Sequence, residues 1–369
     1  MAGIYIHIPF CKQRCLYCDF FSSTQNRKIE QYIEALCDEL QERKDYLNNE
    51  PVKTVYFGGG TPSVLQFNDF AKIFITLTSV FDLNYKCEVT LEANPDDLSL
   101  DYLKKIRSFH FNRISLGIQS FNDLELKLLN RRHDAQSAIH AVGLLQKGGF
   151  DNISIDLMYG LPGQNIQSWK KTLRQAIDLN VQHISAYHLT YEEGTPLHER
   201  LKKGGITPVD EEMSARMFEV LIDTLTAAGF EHYEISNFAR PGFQSRHNTS
   251  YWNGTYYLGI GAAAHSYNGI SRRWNNKTLT PDYWTSGFEV EMLDEKMKYN
   301  DFVITRLRVM KGIDLNELTS LFGERQKTYC LLQAQKHIAN GWLQLKDNCL
   351  RLTRKGIFIS DSIMSDLMQ

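Results

Sequence analysis

Six short runs rich in β-branched and aromatic residues alternate along this chain with longer stretches that carry helical patterns. The strand-like runs are "IYIHI" at 4–8, "VKTVYF" at 52–57, "CEVTLEA" at 87–93, "RISLGIQ" at 113–119, "NISIDLMYG" at 152–160 and "HISAYHL" at 183–189, with little charge inside them. Between them, "KIEQYIEALCDELQERKDYL" carries an apolar stripe of Ile29, Tyr32, Ile33, Leu36 and Leu40 with an acidic–basic outer face. "DAQSAIHAVGLLQKGG" closes on paired glycines, as a helix C-terminus does. "SWKKTLRQAIDL" is expected to begin at a Ser168 N-cap. Repeated β–α order implies a parallel sheet with right-handed crossovers. Six units predict α/β architecture in the form of a partial (β/α)6 barrel, since two further units for an eight-stranded barrel are not found.

In parallel barrels the chemistry sits at the C-terminal ends of the strands. Strand 1 here runs into "CKQRCLYC", strand 2 into "GGGTP", strand 3 into "LEANP" with Glu92, and strand 4 into "GIQSF" with Gln119, while strand 5 carries Asp156. Any one of these reads as an ordinary turn; five in a row do not. Gly58–Gly60 lack Cβ atoms and would let backbone polar groups come close to a ligand, such as the zwitterionic end of an amino acid. The run is neither a dinucleotide fingerprint nor a phosphate-binding loop, because it lacks G-x-G-x-x-G and no G-K-[ST] follows. The last quarter reads differently. "GIDLNELTSLFG" begins a helix at an Asp314/Glu317 pair resembling a capping box, "QKTYCLLQAQKHIANG" is a second helix, and "WLQLKDNCLRLT" is a hairpin turning near Asp347–Asn348. This order predicts a winged-helix-like module. Lys327 and Lys336 are separated by an apolar-rich run, so no basic readout face for nucleic acid is visible and a packing or partner-binding role is expected.

Composition narrows the setting. The chain has 369 residues, 43% of them hydrophobic and 23% charged, with a formal net charge of −2, so no global field favours nucleic acid or anionic membrane. No apolar run approaches the length of a membrane span, and no export signal is seen at the N-terminus. A cytoplasmic protein is expected. Three of the seven cysteines, Cys11, Cys15 and Cys18, fall within eight positions. In a cytosolic chain such a cluster points to a metal or redox site. Cys37, Cys87, Cys330 and Cys349 read as small buried hydrophobes. Structural zinc wants four ligands, commonly in two pairs, and no second pair is present. A [4Fe–4S] cluster normally takes four thiolates. Three leave one iron open to a small molecule.

The C-x3-C-x2-C spacing, with Tyr17 before the third cysteine, resembles the radical S-adenosylmethionine (SAM) superfamily, whose open iron binds SAM. "YIHIPFCKQRCLYCDF", "GGGTPS", "LEANPDDL", "SLGIQSF", "LNRRH" and "IDLMYGLPGQ" together resemble the group containing oxygen-independent coproporphyrinogen III dehydrogenase. That resemblance implies a [4Fe–4S] cluster on Cys11, Cys15 and Cys18, and SAM contacts from Tyr5, Tyr17, Gly59, Gly60, Thr61, Glu92, Gln119, Arg131 and Asp156. Glu92 and Asp156 can accept from ammonium or ribose hydroxyls, and Arg131 can pair with a carboxylate. In the dehydrogenase some of these positions serve a second SAM, which leaves open whether one or two bind.

Two departures matter. Phe20 stands where the dehydrogenase has a further cysteine, and the first strand starts almost at Met1. Both features, and "SRHNTSYWNG" with its H-N-x-x-Y-W pattern, resemble the HemW-type heme chaperones. The resemblance implies heme as cargo, contacted by His247, Asn248, Tyr251 and Trp252, and a respiratory hemoprotein as acceptor. His265 reads as structural first and as a second heme contact only after that. The expected divisions are 1–230 for the barrel, 231–300 for a small mixed segment with the heme motif, and 301–369 for the C-terminal module. A carrier that meets the membrane when delivering heme stands against a radical SAM oxidoreductase acting on coproporphyrinogen III or another tetrapyrrole. The sequence leaves open whether SAM is cleaved in turnover and whether the chain forms a homodimer.

Overall fold

The computed structural model describes residues 1–83 and 85–369. Its six expected strands form where the composition put them: β1 (Ala2–Ile8), β2 (Val52–Gly59), β3 (Glu88–Ala93), β4 (Arg113–Gln119), β5 (Ile153–Tyr159) and β6 (His183–His188). Each pairs in parallel with the next, in sequence order. One face of every strand packs against helices. Ile4, Ile6 and Ile8 of β1, Ile114, Leu116 and Ile118 of β4, and Ile153, Ile155 and Leu157 of β5 are at most 1% exposed. Side chains alternate across a strand, so the residues between them share the opposite face. That face is polar and aromatic: Tyr5 and His7, Tyr56, Glu88 and Glu92, Arg113 and Ser115, Asp156, His183 and Ser185. The inner wall of the open barrel is therefore built for chemistry rather than for a dry core.

The segment after the sixth strand extends this sheet at both edges. On one side β7 (Glu231–Glu234) and β8 (Asn237–Ala239) form a hairpin, and β8 lies antiparallel to β6. On the other, β9 (Tyr256–Ile260) runs parallel to β1, as a seventh parallel strand that the β–α pattern did not reveal. The antiparallel strands β10 (His265–Tyr267), β11 (Ser271–Trp274) and β12 (Glu289–Met292) continue from it. The result is one sheet of twelve strands. A buried cluster ties the new edge to the first helix, Ile29–Glu42. The Glu39 carboxylate, 0% exposed, accepts from Arg43 Nη1 (2.7 Å), Gly261 N (2.8 Å) and Asn275 Nδ2 (2.7 Å).

The helix expected to start at Ser168 starts earlier, at Ile166, with Asn165 as its N-cap. Asn165 Oδ1 accepts from the amides of Gln167 and Ser168, while Ser168 Oγ accepts from Asn165 N and so serves as the third residue of a capping box. The C-terminal module has the expected helices, Leu315–Phe322 and Glu324–Ala339, and the hairpin of β14 (Leu343–Lys346) and β15 (Cys349–Leu352). A short strand, β13 (Ile313–Asp314), completes its three-stranded sheet. Asp347 and Asn348 both have positive φ (50° and 59°), as a two-residue turn matched to strand twist requires. Lys327 pairs with Glu324 and Lys336 with Asp366, so both lysines are compensated by carboxylates. No helix among the described residues is long and apolar enough to cross a membrane.

Candidate functional site

The C-terminal ends of β1 to β6 surround a cavity of about 570 Å3. Cys11, Cys15 and Cys18 line it together, all as free thiols. Burial raises the pKa of Cys11, and pushes Cys18 up to about 11. The loop is held by neighbouring donors: Thr61 Oγ1 lies 3.3 Å from Cys11 Sγ, and Arg131 Nη1 lies 3.3 Å from Cys15 Sγ. Among the described residues no three His, Cys, Asp or Glu side chains gather as they would around a single metal ion. Three cysteines on one cavity wall are the donor types an iron–sulfur cluster with an open iron position uses.

Eight of the nine expected SAM contacts line the same cavity: Tyr17, Gly59, Gly60, Thr61, Glu92, Gln119, Arg131 and Asp156. Gln119 does so from an unusual backbone, φ 70°, beside a register shift between β4 and β5. Two carboxylates lie deep in the wall. Burial pushes Glu92 up to about 7, against the hydroxyl of Tyr56, with the charge of Asp156 adding to the rise. Burial likewise pushes Asp156 up to about 6. Opposite them, Arg131 donates through Nη2 to Asn94 Oδ1 (2.6 Å) and to Gly117 O, while its buried Nε has no protein partner. An orphaned guanidinium nitrogen is a donor in search of an acceptor. A pocket lined by the Arg131 guanidinium, two buried carboxylates and three thiols fits a ligand with a carboxylate, an ammonium and hydroxyls beside an iron–sulfur cluster.

Tyr5 is the exception among the expected SAM contacts. It faces into the barrel but does not line the cavity; its hydroxyl bonds His7 Nδ1 (3.0 Å), and its ring stacks on Tyr56 and His247. The glycine run also has a second use. A Cβ on Gly59, whose φ is +107°, would lie 2.4 Å from the His7 ring, and one on Gly60 would meet the backbone of Ile8–Phe10 at 2.9 Å. These glycines let β1 and its cysteine loop sit against β2, besides opening backbone to a ligand. The cavity wall further includes Asn94, Tyr187 and His188, which the sequence reading missed. Asn94 follows Glu92 by two positions, and the sixth strand ends at His188, so the rule used for the other five strand ends would have found both.

The H-N-x-x-Y-W residues lie elsewhere. His247, Asn248, Tyr251 and Trp252 sit on the short helix Arg246–Trp252, packed under the N-terminal ends of the parallel strands. His247 is 1% exposed. Its Nδ1 bonds Thr54 Oγ1 and its Nε2 bonds Tyr251 OH, both at 2.8 Å. Burial pushes its pKa down to about 3, so it is neutral. Thr54 and Gly59 are five residues apart on β2, which separates His247 from the cysteine end by roughly 16 Å. In this structure both imidazole nitrogens that the expected iron ligation would draw on are hydrogen-bonded inside the barrel floor. Trp252 faces outward and lines a second cavity of about 520 Å3, together with Tyr233, Met310 and Arg306. His265 is exposed and packs edge-on against Trp274.

Residues 5–176 match the family described as the radical SAM superfamily, and residues 293–359 match the HemN C-terminal domain. The chain is 36% identical to a protein of Lactococcus lactis named heme chaperone HemW, over 86% of this chain and 84% of that one. It is 33% identical to a heme chaperone HemW of Mycobacterium tuberculosis, over 99% and 94%. In fold it superposes on the coproporphyrinogen III oxidase HemN of Escherichia coli with a TM-score of 0.85, covering 100% of this chain and 90% of that one, at 24% identity. With a radical SAM barrel, a HemN-type C-terminal domain and near full-length identity above 30%, the chain belongs to the HemW family of the radical SAM superfamily.

Proposed function

We propose that this protein is a heme chaperone, which binds heme and passes it to a heme-free hemoprotein of the respiratory chain. The observation that carries this reading is the near full-length correspondence with proteins named heme chaperone HemW. The radical SAM domain implies a [4Fe–4S] cluster and SAM. Cys11, Cys15 and Cys18 would hold the cluster as thiolates. Glu92, Asp156 and Arg131 would orient SAM, with Tyr17, Gly59, Gly60, Thr61 and Gln119 completing its wall. When bound, the cluster supplies a one-electron reductant with one open iron position. The chain's own part is to keep two carboxylates and a guanidinium out of bulk water, where their pull on a zwitterion is stronger. Heme is wide, flat and mostly apolar, so its affinity rests largely on burial against aromatic surface. In this reading Trp252 in the outer cavity forms such a surface, and Asn248 and Tyr251 shape the helix that carries it. The divisions 1–230, 231–300 and 301–369 then separate the cofactor barrel, the cargo segment and a module for partner contact.

The test compares wild type with a Cys11→Ala/Cys15→Ala/Cys18→Ala variant after anaerobic reconstitution. The reading expects iron and sulfide to vanish in the variant while heme titration still shows binding. Wild type should transfer heme to an apo-hemoprotein and yield no protoporphyrinogen IX from coproporphyrinogen III and SAM. Full cluster content in the triple variant removes the cysteine assignment. Robust protoporphyrinogen IX formation by wild type replaces the chaperone reading with an oxidoreductase.

A further inference from the structure

The barrel floor and the cofactor cavity are joined by a continuous line of contacts. It begins at His247, whose imidazole is clamped at both nitrogens by Thr54 and Tyr251. The backbone of the same helix is pinned too: the Glu88 carboxylate accepts from the amides of Arg246 (3.1 Å) and His247 (2.9 Å). The clamped ring lies against the Tyr56 ring, with centroids 5.0 Å apart and planes 25° from parallel. Tyr5 stacks on both, at 6.1 Å from Tyr56 and 6.4 Å from His247. The Tyr56 hydroxyl donates to Glu92 Oε1 at 2.7 Å. Glu92 Oε2 accepts from the amide of Gly59 at 3.1 Å. Three contacts therefore lead from His247 on the H-N-x-x-Y-W helix to a carboxylate and a glycine in the wall of the cysteine-lined cavity.

We propose that His247 is a positioning residue for the SAM pocket, acting through Tyr56 on Glu92 and Gly59. The inference rests on the reading that Glu92 contacts SAM. Physically, the imidazole is the floor on which the Tyr56 ring stands. Among the described residues Glu92 is the hydrogen-bond partner of the Tyr56 hydroxyl, so the ring's position decides whether that carboxylate is held. A hydrogen bond to an ionised carboxylate is stronger than a neutral one. Its loss frees Glu92 to turn from the ligand and leaves a buried charge less well satisfied. A seven-residue helix with no contact to SAM would in this way set the affinity for SAM.

The experiment uses reconstituted, cluster-loaded protein and measures the dissociation constant of SAM by calorimetry, well below the melting temperature. The change in the electron paramagnetic resonance spectrum of the reduced cluster on SAM addition gives a second readout. Tyr56→Phe keeps the ring and removes only the hydroxyl. His247→Ala removes the floor, and His247→Phe restores an aromatic face without the two hydrogen bonds. Tyr56→Phe is expected to weaken SAM about tenfold or more, the scale of one hydrogen bond to a charged group. His247→Ala should weaken it by a similar factor, and His247→Phe by less. The double variant His247→Ala/Tyr56→Phe should be no weaker than the worse single, because both act through one carboxylate. Glu92→Gln separates this inference from the reading beneath it. If Glu92→Gln leaves SAM affinity unchanged, the SAM role of Glu92 falls. If Glu92→Gln weakens SAM but folded Tyr56→Phe and His247→Ala do not, the positioning role falls and the SAM reading stands. A heme spectrum altered in His247→Ala with unaltered SAM affinity overturns the proposal in favour of an iron ligand.

Discussion

Replacing Gly59 by alanine tests how tightly the cysteine loop is bound to the barrel. The backbone at Gly59 has φ +107°, outside the range that suits a residue with a Cβ, which costs about 1–2 kcal/mol. The added carbon would also lie 2.4 Å from the His7 ring. That ring has little freedom to move, because Nδ1 bonds Tyr5 OH at 3.0 Å and Nε2 bonds Phe21 O at 2.9 Å. Giving up those two bonds costs roughly 0.5–1.5 kcal/mol each. The sum is about 2–5 kcal/mol, or a fall in Tm on the order of 3–6 °C for a chain of this length. The strain has a direction as well as a size. Phe21 follows Cys18 by three residues, so moving His7 moves the segment that carries the third thiol. Gly59→Ala should therefore lower iron and sulfide content as well as SAM affinity. Differential scanning calorimetry, iron and sulfide analysis, and SAM titration measure the three effects. Adding His7→Ala removes the obstacle, and the double variant should be less destabilised than the sum of the singles by about 1–2 kcal/mol. A Gly59→Ala protein with wild-type Tm and full cluster content would falsify the packing argument.

Two further outcomes follow from buried carboxylates. Burial pushes Glu92 up to about 7 from its ordinary 4.5, so the native state binds more protons than the unfolded chain between these values. This group therefore makes the apo protein less stable as pH rises from 4.5 towards 7, with no further change above that. A cationic ligand favours the ionised form, so SAM affinity should rise with pH up to about 7 and then level off. Calorimetry in buffers of different ionisation enthalpy should detect proton release near pH 6.5 (a little below the Glu92 value), and a flat profile in wild type would exclude Glu92 and Asp156 as the titrating pair. Separately, Glu39→Ala strands Arg43, which also donates to Gly259 O at 2.9 Å and to Ser266 Oγ at 2.8 Å in the β9–β10 seam. Breaking a buried pair on one side costs about 3–5 kcal/mol. Urea unfolding that shifts by less than 1 kcal/mol would show the seam to be held by other contacts.

The parallel strands were legible because their outer faces are apolar and their inner faces carry recognisable polar types, as Glu92 and Asp156 do. Depth was not legible. Alternation says that Tyr5 points inward, but not that His7, Tyr56 and His247 use up its faces before a ligand could. His247 shows the same limit at longer range. Its residue type and aromatic neighbours suit heme, yet its partner is Thr54, nearly two hundred positions earlier. Nothing local to "HNTSYW" announces that the helix folds beneath the barrel. β9 was missed for a related reason: the helix before it, Arg246–Trp252, is only seven residues long, and its pairing with β1 spans most of the chain. Asn165 displaced Ser168 as the cap because two side chains with capping chemistry stood three residues apart, and local sequence did not rank them.

The pairing of β9 with β1 has a consequence for the order in which the molecule is made. β1 leaves the ribosome first and carries the cysteine loop at its end, but one of its two neighbours is residues 256–260. At about 5–20 residues per second, roughly 12–50 s separate the synthesis of the two strands. During that interval the first strand has a free edge, and such non-local closure is slow to form. The thiols of Cys11, Cys15 and Cys18 then sit on a half-finished wall until β9 is made and pairs with β1. In the proposed reading, late closure of the sheet leaves the cysteine loop open for loading, and a chain ending before Tyr256 is expected to take up iron and sulfide yet fail to retain them.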